Sequence, residues 1–210
     1  MDLTGALRAR RMTRSFDPQP LERPLIEELC LLARRAPSAG FAQGAELIVL
    51  DTPEAVGRFW ELTLPASERA SFAWPGLLRA PAVVIPAADS RRYLARYREP
   101  DKSAGPARRL GESTEAWPVP YWLVDCAFVV QNLLLAAADR GLGALFFGLF
   151  EGAEALRAEL QAPEGVELLG AVALGRPAAD RPSKSLTRGW RDPAEILHWG
   201  RWGGGRVPCA

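Results

Sequence analysis

Arg10, Arg11 and Arg14 stand within five residues of one another in the run RRMTRSF (10–16), which ends in the apolar Phe16. A guanidinium is planar, permanently charged and forked, so several on one turn match the oxygens of a phosphate or a carboxylate. Phe16, if buried, pins that turn to a core and keeps the forks in place. Read alone, the run also has the makeup of a solvated basic turn.

A second stretch, RRAPSAGFAQGAELIVL (34–50), leads from a helical pattern through Pro37, Ser38, Gly40 and Gln43 into an apolar run. Such a loop is rich in backbone donors and in residues that tolerate unusual φ and ψ. By itself it is equally an ordinary turn. Other candidates carry less. His198 is the only histidine and reads as structural, beside Trp199. The GLG at 141–143 follows a helix rather than a strand, so it reads as a helix cap and not a dinucleotide fingerprint. Trp74, Trp117, Tyr121 and Trp122 either stack on a ligand or pack. Trp117 stands out because it ends a long polar segment. Cys30, Cys126 and Cys209 have no metal or redox spacing, and the first two read as small hydrophobes on helix faces.

The elements that must position these residues follow from periodicity. Helices are expected at 2–11, from Pro24 to Ala36, at 53–63, from Trp122 to Arg140, near 153–161 and in a turn after Asp192. Strands are expected at 45–51, 81–89, 144–150 and 166–175. The helix 122–140 is apolar on nearly every side and reads as the central, buried helix. Gln131 and Asn132 on it are an interface seam or buried polar contacts, with the seam preferred. Residues 98–120 have no period and much Pro, Gly and charge, so they read as a functional insertion or lid. Glu99, Asp101 and Lys102 there read as solvated charges. Strands and helices mix without a strict βαβ rhythm, which predicts an α+β fold with a mixed, mainly antiparallel sheet flanked by helices.

The chain has 210 residues, 48% hydrophobic and 24% charged, which suits one domain over 1–210 with a glycine-rich flexible tail at 203–210. Its net charge of +1 offers no global field for nucleic acid or a membrane surface. The apolar stretch 124–138 is broken by Asp125, Gln131 and Asn132 and is short for a bilayer. The first residues lack the apolar core of a signal peptide. A cytoplasmic protein without nucleic-acid or membrane partners is the expectation.

Taken together, in this order and spacing, the motifs resemble the nitroreductase family of FMN-dependent oxidoreductases. That family opens on Arg-Arg-Ser-x-Arg-x-Phe, matched by Arg10, Arg11, Arg14 and Phe16, with Met12 in the Ser place. Its Ala-Pro-Ser-x-x-Asn-x-Gln-Pro is matched by Ala36, Pro37, Ser38 and Gln43, with Phe41 in the Asn place and Gly44 in the Pro place. VQNLLLAAADRGLGALFFGLF (130–150) is similar to its central helix and flavin-side strand, and the region ending in RGWRDPAEILHW to its closing segments.

The resemblance implies a nitroreductase-like fold whose central helix lies at a homodimer interface, with a cofactor site shared between subunits. It implies that Arg10, with Arg11 beside it, and Arg191 hold the FMN phosphate. Arg14, after Met12, would lie near N1 and O2 of the flavin and stabilise negative charge there. Pro37, Ser38, Ala39, Gly40 and Phe41 would contact the flavin of the other subunit, and Phe147 and Gly148 would offer N–H groups near N5. Phe41, Trp117 and Tyr121 are the candidate substrate contacts. No side chain is expected to act as a catalytic acid or base, and no metal is expected. The implied activity passes a hydride from NAD(P)H through FMN to a small, flat or aromatic acceptor of nitro or quinone type. The alternatives are an oxygen-dependent, flavin-cleaving enzyme like dimethylbenzimidazole synthase, or a flavin binder without turnover. Met12, Phe41, Gly44, Leu149 and Phe150 depart from the family pattern.

Overall fold

A computed structural model describes residues 1–102, 105–181 and 183–205. The chain divides into two compact units, Met1–Asp180 and Arg181–Ala210. In the first, helices α1 (Leu3–Ala9), α2 (Arg23–Ala33), α3 (Pro53–Thr63), α4 (Ala66–Arg69), α5 (Ser90–Tyr97), α6 (Tyr121–Asp139) and α7 (Ala153–Glu159) surround one sheet. Its strands are β1 (Ala45–Leu50), β2 (Ala82–Asp89), β3 (Gly143–Phe147), β4 (Val166–Leu168) and β5 (Ala171–Gly175). The order is β1-β2-β5-β3, with β4 also on β2.

Both faces of this sheet are covered. Along β2 all eight residues are buried. Ala82 and Val84 face a core built with Ile26, Leu29 and Ala33 of α2 and Val130, Leu133 and Ala137 of α6. Val83 and Ile85 face the opposite core, with Val56, Phe59 and Trp60 of α3 and Leu156 of α7. On β5, Val172 and Leu174 join the first core and Ala171 and Ala173 the second. A period of two thus sends alternate side chains into two helix layers. A sheet buried on both faces reads in sequence as a continuous apolar run, as PAVVIPAA does.

Every ladder in the described sheet is antiparallel. The parallel component is an isolated bridge between Met12 and Ala144. The single strand expected at 166–175 is two, because Gly170 takes φ 152° and a Cβ there would lie 2.6 Å from the Phe147 carbonyl oxygen. At that break β2 changes partner from β5 to β4, across Pro86, which has no N–H to donate; its carbonyl accepts Leu169 N–H at 2.9 Å. The strand expected at 144–150 stops at Phe147, opposite Ala171, where β5 begins.

The helices end where local chemistry dictates. Thr52 caps α3 by accepting Ala55 N–H at 3.2 Å, with Pro53 in the first turn. After α6, Gly141 takes φ 68°, its N–H reaches Ala138 O and Leu142 N–H reaches Ala137 O, a Schellman close. The GLG is therefore a helix stop, as its position after a helix implied. At 19 residues α6 is long and apolar enough to cross a membrane. Its apolarity is used inside the molecule, where Cys126, Val130, Leu133 and Ala137 pack in the core. Asn132 donates to Ala33 O at 3.3 Å, so within the chain it ties α6 to α2 as a polar contact. Burial raises the thiols of Cys30 to about 11 and Cys126 to about 12, so both stay protonated and inert.

The C-terminal unit holds a short turn at Lys184–Arg188 and helix α8 (Pro193–Ile196). Leu186, Trp190, Ile196, Leu197, Trp199 and Trp202 of this unit are exposed. His198 packs on Trp202, ring centroids 4.5 Å apart, and accepts Gly203 N–H at 3.3 Å. The part of the expected tail at 206–210, with Cys209, lies outside the described residues.

Phe16 is fully buried between the second core and the 10–16 loop. Its N–H reaches Gly76 O at 3.2 Å and it bridges to Pro177. Phe16→Ala is therefore expected to cost about 3–5 kcal/mol, the range for emptying a buried aromatic site. Denaturant unfolding measures it; a loss below about 1 kcal/mol contradicts the anchoring role.

Candidate functional site

The arginine loop runs along β3. Met12 bridges to Ala144, and Thr13 N–H donates to Ala144 O at 3.0 Å. This close approach needs Gly143, where a Cβ would sit 2.7 Å from Thr13. The three guanidiniums then diverge. Arg10 Nη1 is buried and has no acceptor. A charged donor left so is costly, by about 1–3 kcal/mol or more. A phosphate oxygen is the kind of group that would relieve it. Arg11 is instead exposed and donates to the carbonyls of Arg8 and Arg10, closing the end of α1. Met12 packs its side chain between the two cores. It contributes only its carbonyl to the loop, accepting from Arg14 Nη1 at 3.1 Å.

Arg14 lies over the Trp74 ring at 5.0 Å and lines a cavity of about 460 Å³. Phe147 and Gly148 line the same cavity, with Trp60, Phe72 and Trp74 among its walls. The tertiary structure thus brings together Arg14, Phe147 and Gly148, which the sequence separates by more than a hundred residues. Trp60 stacks on Phe147 at 5.7 Å with the planes 4° apart. Its indole N–H is the second buried donor without an acceptor among the described residues. The lining is largely aromatic and aliphatic, with Arg14 as its one cation and Glu68 and Glu151 as its carboxylates, and the apolar walls suit a flat, polarisable ring whose charged edge meets Arg14.

Pro37 and Ser38, at the start of the Pro37–Phe41 loop, line a different cavity, of about 370 Å³, with Arg34, Gln43, Arg92, Tyr93 and Asp125. Gly40, Phe41 and Gln43 all have left-handed φ, of 61°, 59° and 52°. For a bulky residue such as Phe41 that conformation is strained. Beside the backbone bonds of its own turn, Phe41 N–H to Ser38 O at 2.9 Å and Ala42 N–H to Ala39 O at 3.1 Å, three bonds to side chains hold it: Ala39 N–H to Asp125 Oδ2 at 2.8 Å, Arg96 Nε to Gly40 O at 2.7 Å, and Gln43 N–H to Ser38 Oγ at 3.1 Å. Phe41 is 72% exposed, a large ring held out from the chain. Within one chain this loop and the Arg14 cavity share no lining residue.

Trp117 is placed otherwise than expected. It is 7% exposed, meets Tyr97, Tyr93 and Trp122 edge-on, and donates its indole N–H to Leu110 O at 2.8 Å. That buried aromatic cluster takes it away from any ligand face in this conformation. Tyr121, half-exposed, tilts against it at 6.0 Å. The segment 98–120 folds as short 3-10 turns at Gly105–Gly111 and Thr114–Ala116, while Ser103 and Ala104 of the expected lid lie outside the described residues. Its charges are not simply solvated. Arg96 grips Asp101 through two bonds and Glu99 through a third, and holds the Asp101 carboxyl below the usual range. Arg191 belongs to the C-terminal unit, where its guanidinium meets the Glu195 side chain and carbonyl.

Sequence reasoning missed Asp125, Arg96 and Trp60. Asp125 left a trace, as a carboxylate interrupting an otherwise apolar helix. Arg96 and Trp60 left none, because each acts through partners far off in the chain.

The Nitroreductase family model matches residues 7–176. A protein of Archaeoglobus fulgidus, provisionally named an NADH dehydrogenase/NAD(P)H nitroreductase, is 28% identical over 175 residues, covering 82% of this chain and 83% of that one. Among solved structures, B. megaterium NfrA2 superposes with TM-score 0.72 at 18% identity, over 96% of this chain and 75% of that one. The nitroreductase CinD of Lactococcus lactis, in complex with nicotinic acid, gives TM-score 0.66 at 18% identity, over 91% of this chain and 99% of that one.

The strained loop yields a direct test. A Cβ on Gly40 would meet the Tyr97 ring at 2.8 Å as well as force a left-handed φ. Gly40→Ala is expected to destabilise the protein by about 1–3 kcal/mol, read from the shift in denaturation midpoint.

Proposed function

The chain belongs to the nitroreductase family, an oxidoreductase family, and on that footing we propose that it is an FMN-dependent enzyme. In this reading it passes a hydride from NAD(P)H through FMN to a small, flat acceptor of nitro or quinone type. The observation that carries the reading is the cavity that joins Arg14 to Phe147 and Gly148 within aromatic walls. The orphaned Arg10 Nη1 supports it, since a phosphate would satisfy a buried charge that this chain leaves unpaired.

Bound FMN would supply the redox chemistry, and the protein binding and electrostatics. Arg10 would hold the phosphate. Arg14, kept in place by Trp74 and the Met12 carbonyl, would set a positive charge against the ring edge that gains negative charge on reduction. Backbone N–H groups at Phe147 and Gly148 would face N5. Trp60, Phe72 and Trp74 would keep water off the ring and favour acceptors that are themselves flat. The complex of CinD with nicotinic acid, a flat heteroaromatic acid, agrees in kind.

The site is read as shared between two copies in a homodimer. Within one chain the Pro37–Phe41 loop lies on a cavity apart from Arg14, so a second copy is needed for Phe41 to reach the flavin. Exposed apolar residues support such an interface: Leu31 and Leu32 on α2, Phe128 on α6, and Trp190, 99% exposed, in the C-terminal unit. A cytoplasmic setting goes with this reading.

The purified protein is expected to be yellow, to release FMN rather than FAD on denaturation, to bleach with NAD(P)H and to recover in air. A colourless protein that takes up no FMN sinks the proposal; one that stays yellow with NAD(P)H is a binder only; irreversible loss of flavin in air marks a flavin-cleaving enzyme. Arg10→Ala is expected to weaken FMN binding by about 1.5–3 kcal/mol, one charge-assisted contact, in a fluorescence titration. Sedimentation at micromolar concentration is expected to give a dimer, and a monomer there refutes the shared site.

A further inference from the structure

Asp125 is the most deeply buried carboxylate among the described residues, 3% exposed, one turn into α6. Burying a carboxylate disfavours folding unless donors replace its water. Here the donors are neutral, and both meet one oxygen. Oδ2 accepts the Ala39 backbone N–H at 2.8 Å and the Tyr93 hydroxyl at 2.7 Å. Tyr93 is itself fully buried, and burial together with the Asp125 carboxylate raises its pKa, so it stays protonated and donates. The pair is therefore a fixed post that meets the loop at two points, the Ala39 N–H on Asp125 and the Gly44 backbone on the Tyr93 hydroxyl, and both residues also line the cavity beside Pro37 and Ser38.

The attachment at Ala39 lies at the start of the strained stretch. Directly after Ala39 come Gly40 and Phe41 in left-handed conformation, with Gln43 following. An exposed Phe gains nothing from burial to offset the strain, so the surroundings must impose it. Of the bonds that do so, the backbone bonds Phe41 N–H to Ser38 O and Ala42 N–H to Ala39 O and the Gln43 N–H to Ser38 Oγ bond are internal to the loop, and Arg96 to Gly40 comes from α5 at the surface. Only Asp125 ties the loop to the central helix. Such a strained loop, held by a satisfied buried polar network, is what pre-organised sites require.

We infer that Asp125 is a positioning residue: its Oδ2 clamps Ala39 and thereby sets the 38–43 loop, with Phe41 at its tip, in the geometry that receives the flavin. The part of this inference that concerns flavin rests on the FMN reading above; the clamp itself does not. In this inference Asp125 acts through the loop.

The test uses the full-length protein. Amide exchange is measured without added flavin in wild type, Asp125→Ala and Asp125→Asn. Asp125→Ala is expected to speed exchange across 38–43 by about tenfold, the factor for losing one hydrogen bond to a charged group, with β2 and β5 unchanged. Asp125→Asn, whose carboxamide oxygen can take the same two donors, is expected to restore most of the protection. Unchanged exchange at 38–43 in Asp125→Ala overturns the inference. So does a loss spread evenly over loop and sheet, which would make Asp125 general core support, and so does failure of Asp125→Asn to restore protection. Should Asp125→Ala not fold, Asp125→Ser, too short to reach Ala39, replaces it under the same outcomes. FMN titration then follows. A loosened loop with FMN affinity lower by about threefold or more supports the link to the cofactor, and a loosened loop with unchanged affinity overturns it. If wild type binds no FMN, the proposed function fails while the exchange result still decides the clamp.

Discussion

Burial of β2 and β5 on both faces is the constraint on which the rest of this molecule depends. With helices required above and below, the chain must supply two apolar layers, and it does so with α2 and α6 on one side and α3 and α7 on the other. Neither strand can slip by one residue without exchanging Val84 with Val83 between layers, so the register is tightly specified. β3, which carries the cavity-lining Phe147, takes its place from the ladder with β5. The loop of Arg10 to Phe16 takes its place in turn from β3 and from the buried Phe16.

Polar chemistry sits where this packed frame runs out. Strand β3 loses its partner at Phe147, and the chain that follows turns outward through Gly148 to line the Arg14 cavity. Gly170 permits that ending by passing close to the Phe147 carbonyl. On another side of the molecule, the chain between α2 and β1 must reverse in a few residues. It does so through left-handed backbone held by Asp125, Arg96 and Ser38. In both places a rigid element positions a loop that could not hold its shape alone. The aromatic cluster around Trp117 does the same for residues up to Pro120, anchoring Leu110 through the indole N–H.

Where the sequence was read correctly, the signal was local. The helix 53–63 has a capping Thr52, a first-turn Pro53 and apolar residues at helical spacing, all within eleven residues, and its bounds agree with the structure. The strand beginning near 82 is an apolar run between loops. Gly141 marks the end of α6 because a left-handed residue is needed there and glycine takes that conformation without cost. Reading failed where partners are distant. Nothing near 166–175 announces that Gly170 must pass a carbonyl from β3, so one strand was expected where two form. Nothing near Trp117 announces Tyr93 and Tyr97, so a buried aromatic looked like a ligand contact. Asp101 stays largely exposed while Arg96 grips it, and nothing near Arg96 announces that it also bonds the distant Gly40 carbonyl.

By itself the sequence determined the α+β class, the longer helices and strands in their order though not α4, α5 or the division of β4 from β5, the anchoring of the basic run by Phe16 and the family to which the chain belongs. These rest on periodicity, on turn and cap chemistry and on motif order, which act over one to a few turns of chain. Only the tertiary structure decided which arginine is left with an unpaired buried nitrogen, and that Arg11 turns back on α1 while Met12 enters the core. It alone decided that Arg14 shares a cavity with Trp60 and Gly148, and that Asp125 holds Ala39 across 86 residues of sequence. Those outcomes depend on desolvation and on contacts between segments that meet only after the sheet has closed, and a one-dimensional pattern does not carry them.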